Sequence, residues 1–157
     1  MSLMHLHLLL NHFPVIGALI GIALVATALM RRSSELSRAS LGLFAALGAM
    51  SVIVFLTGEP AEEAIEKLPG FSEAITEKHE EAALFATVAM AALGALALGA
   101  LAWFRNRDIP RWIATLTFVM SLGAGTAMSY TAMLGGQVRH TEVRGPVTDA
   151  ARTENPD

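Results

Sequence analysis

The sequence predicts an all-α integral membrane bundle of four transmembrane helices, and three observations predict it. Apolar residues make up 54% of the 157 residues and charged residues only 16%, against roughly 25% in an ordinary soluble domain. Four stretches are long and apolar enough to cross a hydrocarbon core of about 30 Å, which takes roughly 20 helical residues. The charges gather between those stretches rather than within them. The length suits one domain, here a four-helix transmembrane domain over residues 1–145 followed by a polar tail over residues 146–157.

The first span covers about residues 3–30 and ends at Arg31-Arg32. Pro14 predicts a kink or local break in its outer third, because proline lacks the N–H that continues the helix. The stretch lacks the basic start and small-residue cleavage site of a removable signal peptide. The second span, about 41–57, is the shortest. The third, about 82–104, is rich in Ala and Leu, and the fourth, about 112–134, ends at Gly135-Gly136. Gly17 with Gly21, Ala95 with Gly99, and the group Gly123, Gly125 and Ala127 are small enough to let helices approach closely in lipid.

The connections are unequal. Residues 31–40 and 105–111 read as short loops carrying Arg31, Arg32, Arg38, Arg105, Arg107 and Arg111. The positive-inside rule places them in the cytoplasm, so both termini face outward, to a periplasm. A longer loop, residues 58–81, also faces outward and holds Glu59, Glu62, Glu63, Glu66, Glu73, Glu77, Glu80 and Glu81. Within it, Pro60 to Lys67 has helix-forming composition, with proline near the first helical position and Pro69-Gly70 as the breaker. Ser72 suits an N-cap from which the third helix begins.

Several functions are excluded or disfavoured. The chain has no cysteine, which removes disulfides, thiolate metal sites, cysteine-ligated clusters and covalent haem attachment. No basic arm with interleaved aromatics supports nucleic-acid binding. No ionisable residue lies deep within any span, which disfavours the mid-membrane path of a transporter or pump. The sequence His79-Glu80-Glu81 has no second histidine four residues on. Glu-x-x-His pairs of the di-iron type are absent as well. The eight methionines scatter through apolar segments and read as packing.

What remains is a set of histidines. His5, His7, His12, His79 and His140 all belong to the outward end of a helix or its flank. His5 and His12 stand seven apart and so share a face, whereas His7 points elsewhere. His79 enters with the third helix and His140 follows the fourth. Imidazole suits zinc, copper, iron and haem iron. Two histidines on facing helices can grip a haem that is not covalently attached, with Glu59, Glu80 or Glu81 available to orient a ligand's second nitrogen. The same positions equally suit polar residues at headgroup level that bind nothing.

The string His5-Leu-His-Leu-Leu-Leu-Asn-His12-Phe13-Pro14 resembles the signature of a bacterial family of uncharacterised four-helix membrane domains: a histidine, then a second seven residues on, followed by Phe-Pro. The similarity extends to Thr57-Gly58, His79, and Gly135-Gly136 followed by His140. That family usually has proline after the first histidine, where this chain has Leu6. Its relatives are found joined to Rieske or c-type cytochrome modules, so the resemblance implies redox company and carries His5, His12, His79 and His140 over as cofactor-binding positions. The expectation is therefore a multi-pass protein of the bacterial inner membrane that binds haem b, or a transition metal held by His and Glu, for electron transfer near the periplasmic face. It would serve other subunits of a membrane redox complex and not itself make or break bonds. His12 and His79 are the expected ligand pair, with His5 and His140 as a second or supporting site. The alternative is a cofactor-free structural accessory subunit of a larger respiratory or photosynthetic complex.

Overall fold

The computed structural model describes residues 3–63, 65–66, 70–140 and 143–144. Six helices occur in them: α1 (Leu3–Leu10), α2 (His12–Arg31), α3 (Ser34–Leu56), α4 (Gly58–Glu63), α5 (Glu73–Trp103) and α6 (Arg111–Arg139). No strand is present among the described residues. Helices α1 and α2 make one span interrupted at Asn11. Pro14 explains the interruption: it cannot donate to the Leu10 carbonyl, and its ring crowds that carbonyl.

Four spans of 28, 23, 31 and 29 residues result. At 1.5 Å per residue even the shortest reaches roughly 35 Å, enough for a hydrocarbon core of about 30 Å. The chain is a multi-pass membrane protein by length and composition. Helix α2 packs against α3 and α6, and α5 packs against the same two, so the four long helices close into a ring.

Two helix ends differ from the sequence expectation. Helix α3 begins at Ser34 rather than near residue 41, because Ser33 is an effective N-cap. Its backbone is extended, its side chain accepts the Leu36 amide at 3.2 Å, and Glu35 lies in the first turn. The expected loop over 31–40 thus shrinks to a tight turn at Arg32, whose backbone is left-handed with φ 52° and ψ 38°. Helix α6 runs through Gly135-Gly136 to Arg139 instead of stopping there. Helix α5 does start after Ser72. Helix α4 starts two residues before Pro60. The rest of the segment expected to be helical up to Lys67 lies partly outside the described residues, and the tail over 146–157 lies wholly outside them.

The interior is built from residues spaced three and four apart. Helix α2 buries Pro14, Ala18, Gly21, Val25 and Ala28. Phe44, Leu41, Met90 and Leu93 fill the space between helices, while Ile16, Ile20, Phe85, Val88 and Val119 are each more than half exposed. An apolar exterior is what lipid contact requires. Lipid gives apolar helices no reason to associate, so cohesion comes from close packing. Backbone meets backbone between α3 and α5, where a Cβ added to Gly48 would lie 3.0 Å from the Gly94 Cα and 3.1 Å from the Met90 carbonyl oxygen. Of the small residues singled out from sequence, Gly17, Gly21 and Gly125 do face Leu47, Phe44 and Ile22. Gly99 and Gly123 face open space and Ala95 is exposed. A spacing of four identifies a face but not which way that face turns.

At the arginine end, Arg38 lies inside α3. Its Nη2 donates to the Phe104 carbonyl at 2.6 Å and to the Arg107 carbonyl, closing off the end of α5. The Ile109 amide donates to Ser34 Oγ at 3.0 Å. This stitching fixes the second short connection against α3.

The Gly48–Gly94 contact yields a prediction. Gly48→Ala and Gly94→Ala each push a methyl against backbone that cannot yield, and each lowers stability by about 1–3 kcal/mol. Gly42→Ala and Gly123→Ala, in open space, are neutral or stabilise by up to about 1 kcal/mol. Thermal unfolding of the four variants in detergent checks the contrast.

Candidate functional site

The inward stripe of the first span, read backwards from Pro14, passes through Asn11 and His7. That spacing of three and four continues the one that buries Ala18, Gly21 and Val25. His7 is half-buried, whereas His5 and His12 are exposed. On α5 the stripe of Ala86, Met90 and Leu93 extends back to His79 and Thr76; His79 is half-buried and Thr76 is buried. Two helices therefore carry one inward imidazole each, within electrostatic reach of the other. The expected pairing of His12 with His79 is not what the structure presents, because His12 lies off the inward stripe. The half-buried pair is His7 and His79.

Each ring is held by the same device. His7 Nδ1 lies 3.1 Å from the Val54 carbonyl oxygen and 3.1 Å from Thr57 Oγ1, and Thr57 Oγ1 itself donates to Val54 at 2.7 Å. His79 Nδ1 lies 3.1 Å from the Thr131 carbonyl oxygen. A carbonyl can only accept, so in both rings Nδ1 is the protonated donor. In the neutral imidazole the lone pair then sits on Nε2.

Glycine makes room for these rings. A Cβ on Gly135 would lie 3.0 Å from His79 Cε1, tighter than most packed contacts, so a larger residue there would make the ring give way by a few tenths of an ångström. Gly135 is a point of close approach within α6, which continues past it to Arg139. On the other side His7 Cε1 lies at ordinary contact distance, 3.8 Å, from a Cβ built on Gly58.

Polar groups surround the pair. Asn11, one turn from His7, has a buried side-chain oxygen with no hydrogen-bond partner. Such an orphan costs about 1–3 kcal/mol. Glu62 of α4 hydrogen-bonds to Glu80, the neighbour of His79. That bond, with burial and the charges of Glu80, Glu66 and Glu59, pushes the Glu62 carboxyl up to about 7. A proton kept on Glu62 lets it donate to Glu80. Glu80 thus serves Glu62, while Glu59 and Glu81 are exposed. The ring orientation expected from these acids is supplied by backbone carbonyls instead. His140 caps the end of α6 on the exposed side. Among the described residues no three His, Cys, Asp or Glu side chains converge into a metal-holding group.

Compared with protein-family models, curated proteins and solved structures, the chain matches none. The site therefore rests on its own geometry.

Sequence reasoning passed over His7, Asn11 and Gly135. The signal for the first two was present: Pro14 and Gly21 stand seven apart, and the same step back from Pro14 falls on His7. In sequence Gly135 reads as a terminator, because a Gly pair at the end of an apolar run ordinarily stops a helix.

The carboxyl pair gives a pH prediction. The folded protein keeps a proton on Glu62 that the unfolded chain releases above its ordinary value of 4.5. Stability from this group is whole below pH 4.5 and is lost as pH rises through about 7. Glu62→Gln, which keeps a donor and removes the charge, flattens the decline in melting temperature across that window. Melting curves of both proteins from pH 4 to 8 measure it.

Proposed function

We propose that the histidine end of this bundle binds haem b through His7 and His79 and that the protein passes electrons at that membrane face. One observation carries the reading: two imidazoles on different helices each give Nδ1–H to a backbone carbonyl, which leaves both Nε2 lone pairs for a shared ligand. Histidines that ligate metals are ordinarily oriented in this way. Bundles build cofactor sites from side chains on facing helices.

The donor set favours haem over a bare ion. A transition-metal ion held by protein alone wants three or four donors, and two imidazoles fall short. Haem would bring four nitrogens of its own and would need only two further donors, which His7 and His79 would supply, and its iron would supply one-electron chemistry. The chain's contribution is positional. The Val54 and Thr131 carbonyls fix the ring planes, Gly135 admits the His79 ring, and the Asn11 side-chain oxygen offers an acceptor beside His7. The raised Glu62 carboxyl holds its proton toward neutral pH and so limits the negative charge that collects beside His79.

A second reading rests on the same hydrogen bonds. The His7 bond ties α1 to the end of α3, and the His79 bond ties α5 to α6, as latches in an accessory subunit of a larger assembly would.

The absorption spectrum of protein purified from haem-replete cells separates the two. Haem binding gives a Soret band with sharp α and β bands on dithionite reduction, lost in His7→Ala and in His79→Ala and kept in His12→Ala. A colourless wild-type protein leaves only the latches. Loss of the bands in His12→Ala overturns the pairing.

A further inference from the structure

The opposite end of the bundle carries a second feature, independent of the histidines. Where α2 ends, α3 begins and the 104–110 connection meets α6, a cavity of about 320 Å³ opens, with Arg32, Asp108 and Arg111 on its wall. That is far more than a single water needs. Of the arginines here, Arg38 is committed to the Phe104 and Arg107 carbonyls. The Arg32 and Arg111 guanidiniums make none of the side-chain hydrogen bonds found among the described residues. We propose that this cavity binds the phosphate of an anionic phospholipid headgroup.

Charge argues for an anion. Two guanidiniums face one carboxylate, so the lining is net positive before the backbone is considered. Ser34 and Arg111, both on the wall, are also the first residues of α3 and α6. The partial positive ends of two helices add to the guanidiniums. Ser34 Oγ accepts the Ile109 amide, which leaves its own proton to donate. Guanidinium forks and a hydroxyl are the donors a phosphodiester takes.

Apolar surface argues for a lipid rather than free phosphate. Ala28, Leu29, Ile109 and Ala114 form the apolar part of the wall, and a soluble anion would leave them unused. Met30 and Trp112, beside the cavity in sequence, are 83% and 62% exposed. They offer an apolar exit for acyl chains, and tryptophan is the residue that favours this level of a bilayer.

The test is titration of dioleoylphosphatidylglycerol, with dioleoylphosphatidylcholine and inorganic phosphate as comparison probes, into delipidated full-length protein in detergent, read by thermal unfolding. Phosphatidylglycerol raises the melting temperature of the wild type, and the other two do not. Arg32→Asn combined with Arg111→Gln weakens the apparent affinity by roughly 10-fold or more; Asn tolerates the left-handed backbone at position 32. Asp108→Asn tightens binding, and Arg105→Gln, an exposed charge at the same end outside the cavity, leaves it unchanged. Equal stabilisation by phosphatidylcholine overturns the proposal, as does an Arg105→Gln loss as large as that of the paired variant. Stabilisation by inorganic phosphate alone assigns the cavity to a soluble anion and overturns the lipid. Should the paired variant fail to fold, failure of Asp108→Asn to tighten binding overturns it as well.

Discussion

Backbone contact between Gly48 and Gly94 sets the spacing of this bundle, and with it the identity of every side chain that faces inward. In lipid, two apolar helices gain little from meeting unless their surfaces fit closely. Glycines at both positions let α3 and α5 approach until a Cβ would touch backbone. Once these two helices are fixed, α2 and α6 close the ring against both of them. Gly21 admits the Phe44 ring and Gly125 admits Ile22. The stripes that result run the length of the helices and decide which polar residues are carried inside.

That constraint explains why the two ends differ. Toward the histidine end, the stripes of the first span and of α5 finish on His7 and His79, and neighbouring helices meet each ring with a carbonyl and a glycine. Toward the arginine end they finish on alanine and serine, and the charged side chains stand at the rim. One end gathers imidazoles held by backbone carbonyls, and the other gathers guanidiniums around two helix N-termini.

Much of the architecture was legible in the sequence. The four spans, their order and the start of α5 after Ser72 follow from hydropathy and capping, because those signals are local. The ends of α3 and α6 were not. Ser33 outweighed the polar look of residues 34–40, and Gly135 reads as a stop until the His79 ring packed on it is seen. The site was legible only in part. That histidines cluster at one end was plain, but which of them turn inward depends on helix rotation, which a repeat of seven between His5 and His12 does not fix. Pro14, as a buried residue of α2, marks the rotation, and only His7 and Asn11 lie in phase with it.

The most direct test concerns the protons on the rings. Nitrogen-15 NMR of histidine-labelled protein, before any haem is added, reports the tautomer of each of the five histidines. Two rings carrying their proton on Nδ1, one signal lost in His7→Gln and the other in His79→Gln, is the result expected if carbonyls aim both Nε2 atoms at a common ligand. All five protonated on Nε2, the form imidazole prefers in water, would contradict it.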